Sequence, residues 1–269
     1  MGTLARADLE SLLRVRKLDR TLVPTRHAGE PPVPTGLAGL DAALGGGLPR
    51  GELSEIVGPR SSGRTSVALT VLAAAVAGGE IAALVDAFDR FDPESAAVML
   101  SDRRGSVAGL ERLLWVRGET GSVETAIDPG PALERAVKAF NLVLQAGGFA
   151  VAALDLADAP SAALRRLPFT TWFRLARAIE GGRTVALVIA AEHLARSPGG
   201  VTIAMEAAPQ WQGTTPRGRL FTGISLRPQL RNQATGEQPT AKKVASEDRL
   251  RPTHQELRTN REGDCLPVS

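Results

Sequence analysis

The 269-residue chain contains no tyrosine, a single cysteine and three histidines, and only 4% of it is aromatic. With Cys265 alone, placed in a polar C-terminal stretch, no disulfide framework exists and no cysteine metal site can be assembled. His27, His193 and His254 are scattered far apart, which argues against zinc. Long hydrophobic runs are missing as well. The longest starts at Val67 and is broken by Gly78-Gly79-Glu80, well short of the ~20 residues a membrane helix needs. Arg6, Asp8 and Glu10 occupy the first turns, where a signal peptide would carry its apolar core, so a soluble, cytoplasmic protein is expected. A formal charge of +3 and a pI near 9.6 permit contact with nucleic acid without requiring it.

What the chain does have is glycine at telling places. Gly58-Pro59-Arg60-Ser61-Ser62-Gly63-Arg64-Thr65 has the spacing of a phosphate-cradling loop, in which glycines let successive backbone N–H groups converge on one anion above a helix N-terminus. The strand-like run 52–57 precedes it and the helical run 67–77 follows it, which is the order such a loop requires. One residue departs from the pattern: Arg64 stands where lysine is the rule. Arginine keeps the charge and binds phosphate through a planar fork, but it is bulkier than an ammonium and less of a point charge.

The rest of the chain divides into three parts. Residues 1–33 comprise a helical segment over 3–19, with Leu4, Leu9, Leu12, Leu13 and Val15 as its apolar residues, and a linker over 20–34 made irregular by Pro24, Gly29, Pro31, Pro32 and Pro34. The helix packs either on its own core or on a neighbour. Residues 34–230 alternate apolar runs (81–85, 113–116, 149–156, 184–190) with helical stretches, which predicts an α/β fold with a mostly parallel sheet flanked by helices. The runs 201–205 and 220–226 are joined too tightly for a crossover helix and read as an antiparallel edge hairpin. Residues 231–269 are polar and charged, with too little apolar surface to offset ordering entropy, and are expected to be disordered when free.

Thr35-Gly36, the run Leu40 to Gly51 with its Gly45-Gly46-Gly47 stop and Pro49-Arg50-Gly51 turn, and the loop itself together resemble the entry to the core of RecA-type recombinases. The resemblance covers residues 34 to 230, densely in the first third, and implies a RecA-like P-loop core that binds ATP with magnesium. Residues Gly58 to Ser66 would then hold the phosphates. Thr65 and Asp155, the carboxylate that ends the apolar run 150–154, would hold the metal.

The same resemblance marks departures. Asp86-Ala87 and Asp92-Pro93 match the family's second strand and following loop, where a glutamate directly after Asp-Ala activates the attacking water. Here that residue is Phe88, which neither accepts a proton nor orients water. The family's adenine-stacking tyrosine corresponds to Ser95. Asp89, one residue along, is a conceivable substitute base. The recombinases' two DNA loops correspond to 157–169, with Arg165 and Arg166 at what reads as a helix start, and 192–200, with His193 and Arg196; both are shorter than the family's, and an Arg-Arg pair is more often a solvated face. Glu192 and His193 are adjacent and form an imaginable acid/base pair, though a plain loop is the commoner reading.

Three readings stand. The first is a diverged RecA-like accessory protein that has kept the fold and lost most ATPase function. Short loops, the altered ATP site, the basic charge and a charged tail look like the ImuA-type proteins, which implies damage-induced (SOS-type) translesion mutagenesis. The partners implied are a Y-family-like polymerase subunit, an error-prone replicative-type polymerase and RecA. The second is a working ATP-dependent recombinase or RadA/KaiC-like ATPase. The third is a structural module in which the glycine loop merely turns the chain and no nucleotide binds.

Overall fold

The computed structural model describes residues 30–100, 107–118, 128–195, 199–213, 220–231, 242–243 and 249–250. The helical segment 3–19, the greater part of the expected linker and most of the tail lie outside these.

The chain enters along Val33, which is fully buried and pairs with Leu48 in an isolated antiparallel bridge. The last residues of the expected linker are therefore part of the packed body. Gly47 makes this approach possible: with φ 141°, a Cβ at that position would stand 2.1 Å from the Val33 carbonyl oxygen. Between the two, helix α1 (Ala38–Leu44) is tied at its start by Asp41, which accepts from both the backbone N–H and the hydroxyl of Thr35 at 2.7 Å. It stops at Gly45 in the left-handed conformation, with the Gly46 N–H on the Asp41 carbonyl, as a glycine stop predicts.

Strand β1 (Leu53–Val57) follows and runs into helix α2 (Arg64–Ala77). Then come β2 (Ala82–Asp86), α3 (Pro93–Leu100), a 3₁₀ segment over Val107–Arg112 and β3 (Leu113–Arg117). Helix α4 (Gly130–Ala146), β4 (Val151–Asp155), the one-turn α5 (Ser161–Leu164), α6 (Phe169–Ile179) and β5 (Val185–Ala190) complete the alternation. Two long strands, β6 (Thr202–Gln212) and β7 (Leu220–Arg231), close it.

The strand order is β3-β2-β4-β5-β1-β6-β7, parallel from β3 to β6 and antiparallel between β6 and β7. This is the expected α/β RecA-like architecture. The hairpin is longer than the apolar runs suggested because polar residues alternate into both strands. Its first strand is also no mere edge: Thr202 to Ala204 pair with Glu55 to Val57 of β1. Two dipeptides of the tail, β8 (Lys242–Lys243) and β9 (Arg249–Leu250), pair antiparallel with β7. Regular structure was not expected there from composition. The unpaired backbone groups of a long edge strand supply its cause, since they offer hydrogen bonds that do not depend on apolar side chains.

Every residue of β1, β2 and β5 is buried, because helices cover both faces of the sheet. Alternation along the strands divides the core in two. Val151 and Ala153 of β4 face the cluster built on Val67, Val71 and Leu72 of α2. Ala152 and Leu154 face the cluster of Leu133 and Phe140 of α4 with Trp172 and Leu175 of α6. The phosphate loop therefore opens over one layer, and α4 with α6 forms the other. No helix among the described residues is long and apolar enough to cross a membrane.

Candidate nucleotide site

The loop leaves β1 at Val57 and turns on two glycines. At Gly58 a Cβ would stand 2.6 Å from Ser62 Oγ and 2.7 Å from the Met205 carbonyl oxygen, so only glycine lets the loop pass the adjacent strand. Gly63, at φ 82°, is the N-cap of α2, and Ser61 takes a positive φ of 60°. Pro59, Arg60, Ser61 and Thr65 are exposed, Ser66 is half-buried, and Ser62 is buried with its hydroxyl unpartnered among the described residues.

Arg64 is the first residue of α2, and its side chain is folded inward, 5% exposed. Its guanidinium donates to two backbone carbonyls, that of Gly58 at the head of the loop and that of Ala157 just beyond β4. Burial lowers its pKa, while Asp155 and Asp158 oppose that shift. The cation thus ties the loop to the end of the neighbouring strand instead of standing at the loop's mouth.

Asp155 ends β4, register-paired with Asp86 at the end of β2, so two carboxylates sit side by side at the carboxyl edge of the sheet. Burial pushes the Asp155 carboxyl up to about 6, helped by the Asp86 charge and opposed by the hydrogen bond that it accepts from the Ala157 N–H at 2.8 Å and by Arg64. Asp86 accepts from the Phe88 N–H at 3.3 Å and the Phe91 N–H at 2.7 Å, and so holds the turn after β2. Asp158 bridges Arg90 at 3.0 Å and Arg60 at 3.7 Å. No group of three or more His, Cys, Asp or Glu side chains is arranged to hold a metal ion among the described residues.

The three departures from the recombinase pattern have definite places. Phe88 is 6% exposed and belongs to the α4/α6 core cluster. Asp89 is engaged by Arg117 through a bidentate pair at 2.9 and 2.7 Å, and Arg117 lies over the Trp115 ring at 4.6 Å. Ser95 is exposed in the first turn of α3, where its backbone N–H donates to Asp92 at 3.3 Å and its hydroxyl bonds the same carboxylate. Asp92, immediately before Pro93, thus serves as the helix cap, and its hydrogen bond from the Ser95 side chain lowers its pKa.

The residues assigned to DNA contact are dispersed. Arg165 and Arg166 lie at the end of α5, not at a helix start, because the helix begins after Pro160 and lasts a single turn. Arg165 reaches the half-buried Glu192 at 3.4 Å and Arg166 reaches Asp128 at 3.8 Å, with both arginines and Asp128 exposed. Arg196 lies outside the described residues. Of the adjacent Glu192 and His193, the former meets Arg165 and the latter, through Nδ1, the carboxylate of Glu55 on β1. Glu55 also accepts the Leu194 and Ala195 N–H groups at 2.9 and 2.6 Å, so a buried acid pins the segment after β5 to the sheet. Sequence reasoning passed over both Glu55 and Asp158. A lone glutamate inside the apolar run Leu53-Ser54-Glu55-Ile56-Val57 was the available signal for the first.

A mostly parallel sheet flanked by helices, with a glycine loop between β1 and α2 and an antiparallel strand pair at one edge, has the architecture of an α/β RecA-like fold. Residues 25–105 match the RecA N-terminal domain model. Protein RecA of Thermus aquaticus is 34% identical over 157 residues, which cover 56% of this chain and 41% of that protein. Protein RecA of Frankia casuarinae is 40% identical over 124 residues, or 46% of this chain and 30% of that one. A shorter stretch of 65 residues, 24% of this chain and 19% of the relative, is 58% identical to Protein RecA of Mycolicibacterium smegmatis. The matches support a RecA-like superfamily relationship, and the chain spans less than half the length of these relatives.

Proposed function

We propose that the chain is a RecA-like accessory protein of damage-induced translesion mutagenesis and DNA repair, working through protein contacts with an eroded ATP site. The observation that carries the loss of catalysis is the inward Arg64. Two of its five N–H donors go to the Gly58 and Ala157 carbonyls, beside the carboxylates that would otherwise face a metal, so the cation is turned away from a nucleotide's phosphates and magnesium–ATP would bind weakly and without hydrolysis. Phe88 in the core and Asp89 held by Arg117 leave no free carboxylate at the position of the water-activating base. The assignment to mutagenesis, with a Y-family-like polymerase subunit, an error-prone replicative-type polymerase and RecA as partners, rests on the ImuA-type resemblance. Direct DNA contact through Arg165 and Arg166 is at most weak, since both already face carboxylates.

The purified chain should show no ATP hydrolysis that rises with single-stranded DNA, and a tagged copy from DNA-damaged cells should co-purify with the Y-family-like subunit. DNA-stimulated turnover at recombinase rates would sink the proposal. The second reading, an active ATP-dependent recombinase or RadA/KaiC-like ATPase, is favoured by the relatives' shared name, Protein RecA. Under it Arg64→Lys should raise turnover. A structural module that binds no nucleotide in any form is the third, and a melting shift with magnesium and ATP that vanishes in Gly63→Val eliminates it.

A further inference from the structure

On the face of the sheet opposite the phosphate loop, α4 and α6 leave a cleft of about 480 Å³ between them. Its apolar wall comes from Leu133 and Val137 of α4, Leu167 before α6, and Leu175 of α6. On α4 the lining residues stand at 130, 131, 133, 134, 137, 138 and 141, one mixed stripe ~17 Å long at 1.5 Å per residue. Exposed Lys138 stands on the α4 wall and exposed Arg174 on the α6 wall, and neither has an ion-pair partner among the described residues; the lining also holds Glu134, one turn before Lys138, and the Arg166–Asp128 pair. The stretch 161–179, which supplies α5 and α6, carries Arg165, Arg166, Arg174 and Arg177 and no acidic residue at all.

We propose that this cleft is a docking groove for an acidic amphipathic helix of a partner protein, about three turns long. Its apolar side chains would enter between α4 and α6, and its carboxylates would meet Lys138 and Arg174. A stripe of helical length, apolar at Leu133 and Val137, suits a helix laid in a groove, and the cations on opposite walls, Lys138 and Arg174, outnumber the carboxylate of Glu134 and give the occupant both its charge and its register. A nucleic-acid strand fits less well, because the floor is aliphatic and the groove's walls offer no exposed ring for a base to stack on. The chain's own N-terminal segment is a poor occupant, since residues 1–29 carry six Lys or Arg against three acids and would bring like charge to the groove. Phe169 and Phe173 are exposed on α6 and do not line the cleft. The inference goes beyond the interaction reading and is independent of ATP chemistry, which lies on the other face of the sheet; a nucleotide-free binding assay therefore tests it separately.

Fluorescence anisotropy of the full chain with a labelled three-turn helical peptide, leucines on one face and glutamates beside them, decides the matter. A lysine-flanked counterpart and single-stranded oligothymidine run alongside. Saturable binding of the glutamate peptide alone is expected, weakened at least ~10-fold in Lys138→Glu/Arg174→Glu with an unchanged urea midpoint. If charge reversal disturbs folding, Lys138→Ala/Arg174→Ala carries the same expectation. Unchanged affinity in the double variants, or equal binding of the lysine peptide, overturns the proposal. So does displacement by oligothymidine at lower concentration, which makes the groove a nucleic-acid face, or tighter peptide binding after deletion of residues 232–269, which makes the chain's own tail the occupant.

Discussion

Arginine appears in two opposite dispositions on the two faces of this sheet. At the phosphate loop Arg64 is buried, bonded to two backbone carbonyls and surrounded by Asp155 and Asp158. Across the sheet, Arg174 and Lys138 are exposed on the walls of an apolar cleft, with no ion-pair partner among the described residues. A charge consumed inside the molecule supports the fold and is withdrawn from ligands; a charge left over supports little and is available to them. On this comparison Arg64 ties the glycine loop to the end of β4, while Lys138 and Arg174 stay open to solvent beside the cleft between α4 and α6.

The comparison breaks most visibly at Arg64. Arg64→Ala removes a buried cation from two carbonyls and two carboxylates at once and should cost about 3 kcal/mol or more in urea unfolding. A cost near zero would mean that Arg64 turns outward in solution and the cradle is open. Next in size is the pH dependence centred on Asp155. Its folded pKa of about 6 lies above the unfolded value of 3.8, so its protonated form stabilises the fold fully below pH 3.8, and that contribution is lost as pH rises through 6. Between pH 4 and pH 8 the stability of Asp155→Asn relative to the wild type should therefore improve by up to about 3 kcal/mol. A flat difference across that range would show the carboxylate to be solvated or permanently paired. The smallest effect belongs to the other face: Lys138→Ala and Arg174→Ala should each change unfolding free energy by no more than about 0.5 kcal/mol, as expected of charges that hold nothing in place. A larger cost would show those cations to be structural and would erase the contrast.

Parts of this site are legible in the amino-acid sequence. Gly58, Gly63, the flanking strand and helix, and Asp155 at a strand end all follow from local rules about backbone freedom and periodicity, which short stretches of chain carry in full. Phe88 can be read as unable to act as a base, but its burial under α4 and α6 cannot, because those helices come from residues 130–179. The Arg165-Arg166 pair misleads for a similar reason. Dipeptide chemistry does not say whether a helix begins or ends there, and Pro160 places the start earlier. Glu55 escapes notice because its donors, Leu194 and Ala195, are about 140 residues away.

By itself, then, the sequence determined the order of strands and helices, the turn of the phosphate loop and the identity of the side chains at its rim, since each depends on neighbours a few positions apart. It also determined that arginine, phenylalanine and serine stand at 64, 88 and 95, the positions where the resemblance implies other residues. Only the tertiary structure decided where Arg64 spends its charge and that Asp86 and Asp155 lie side by side. It alone placed Lys138 and Arg174 on facing walls of one cleft. Those outcomes depend on which distant strands become neighbours and how far water is excluded between them, and the strength of a charge in a protein is set by its surroundings more than by its residue type.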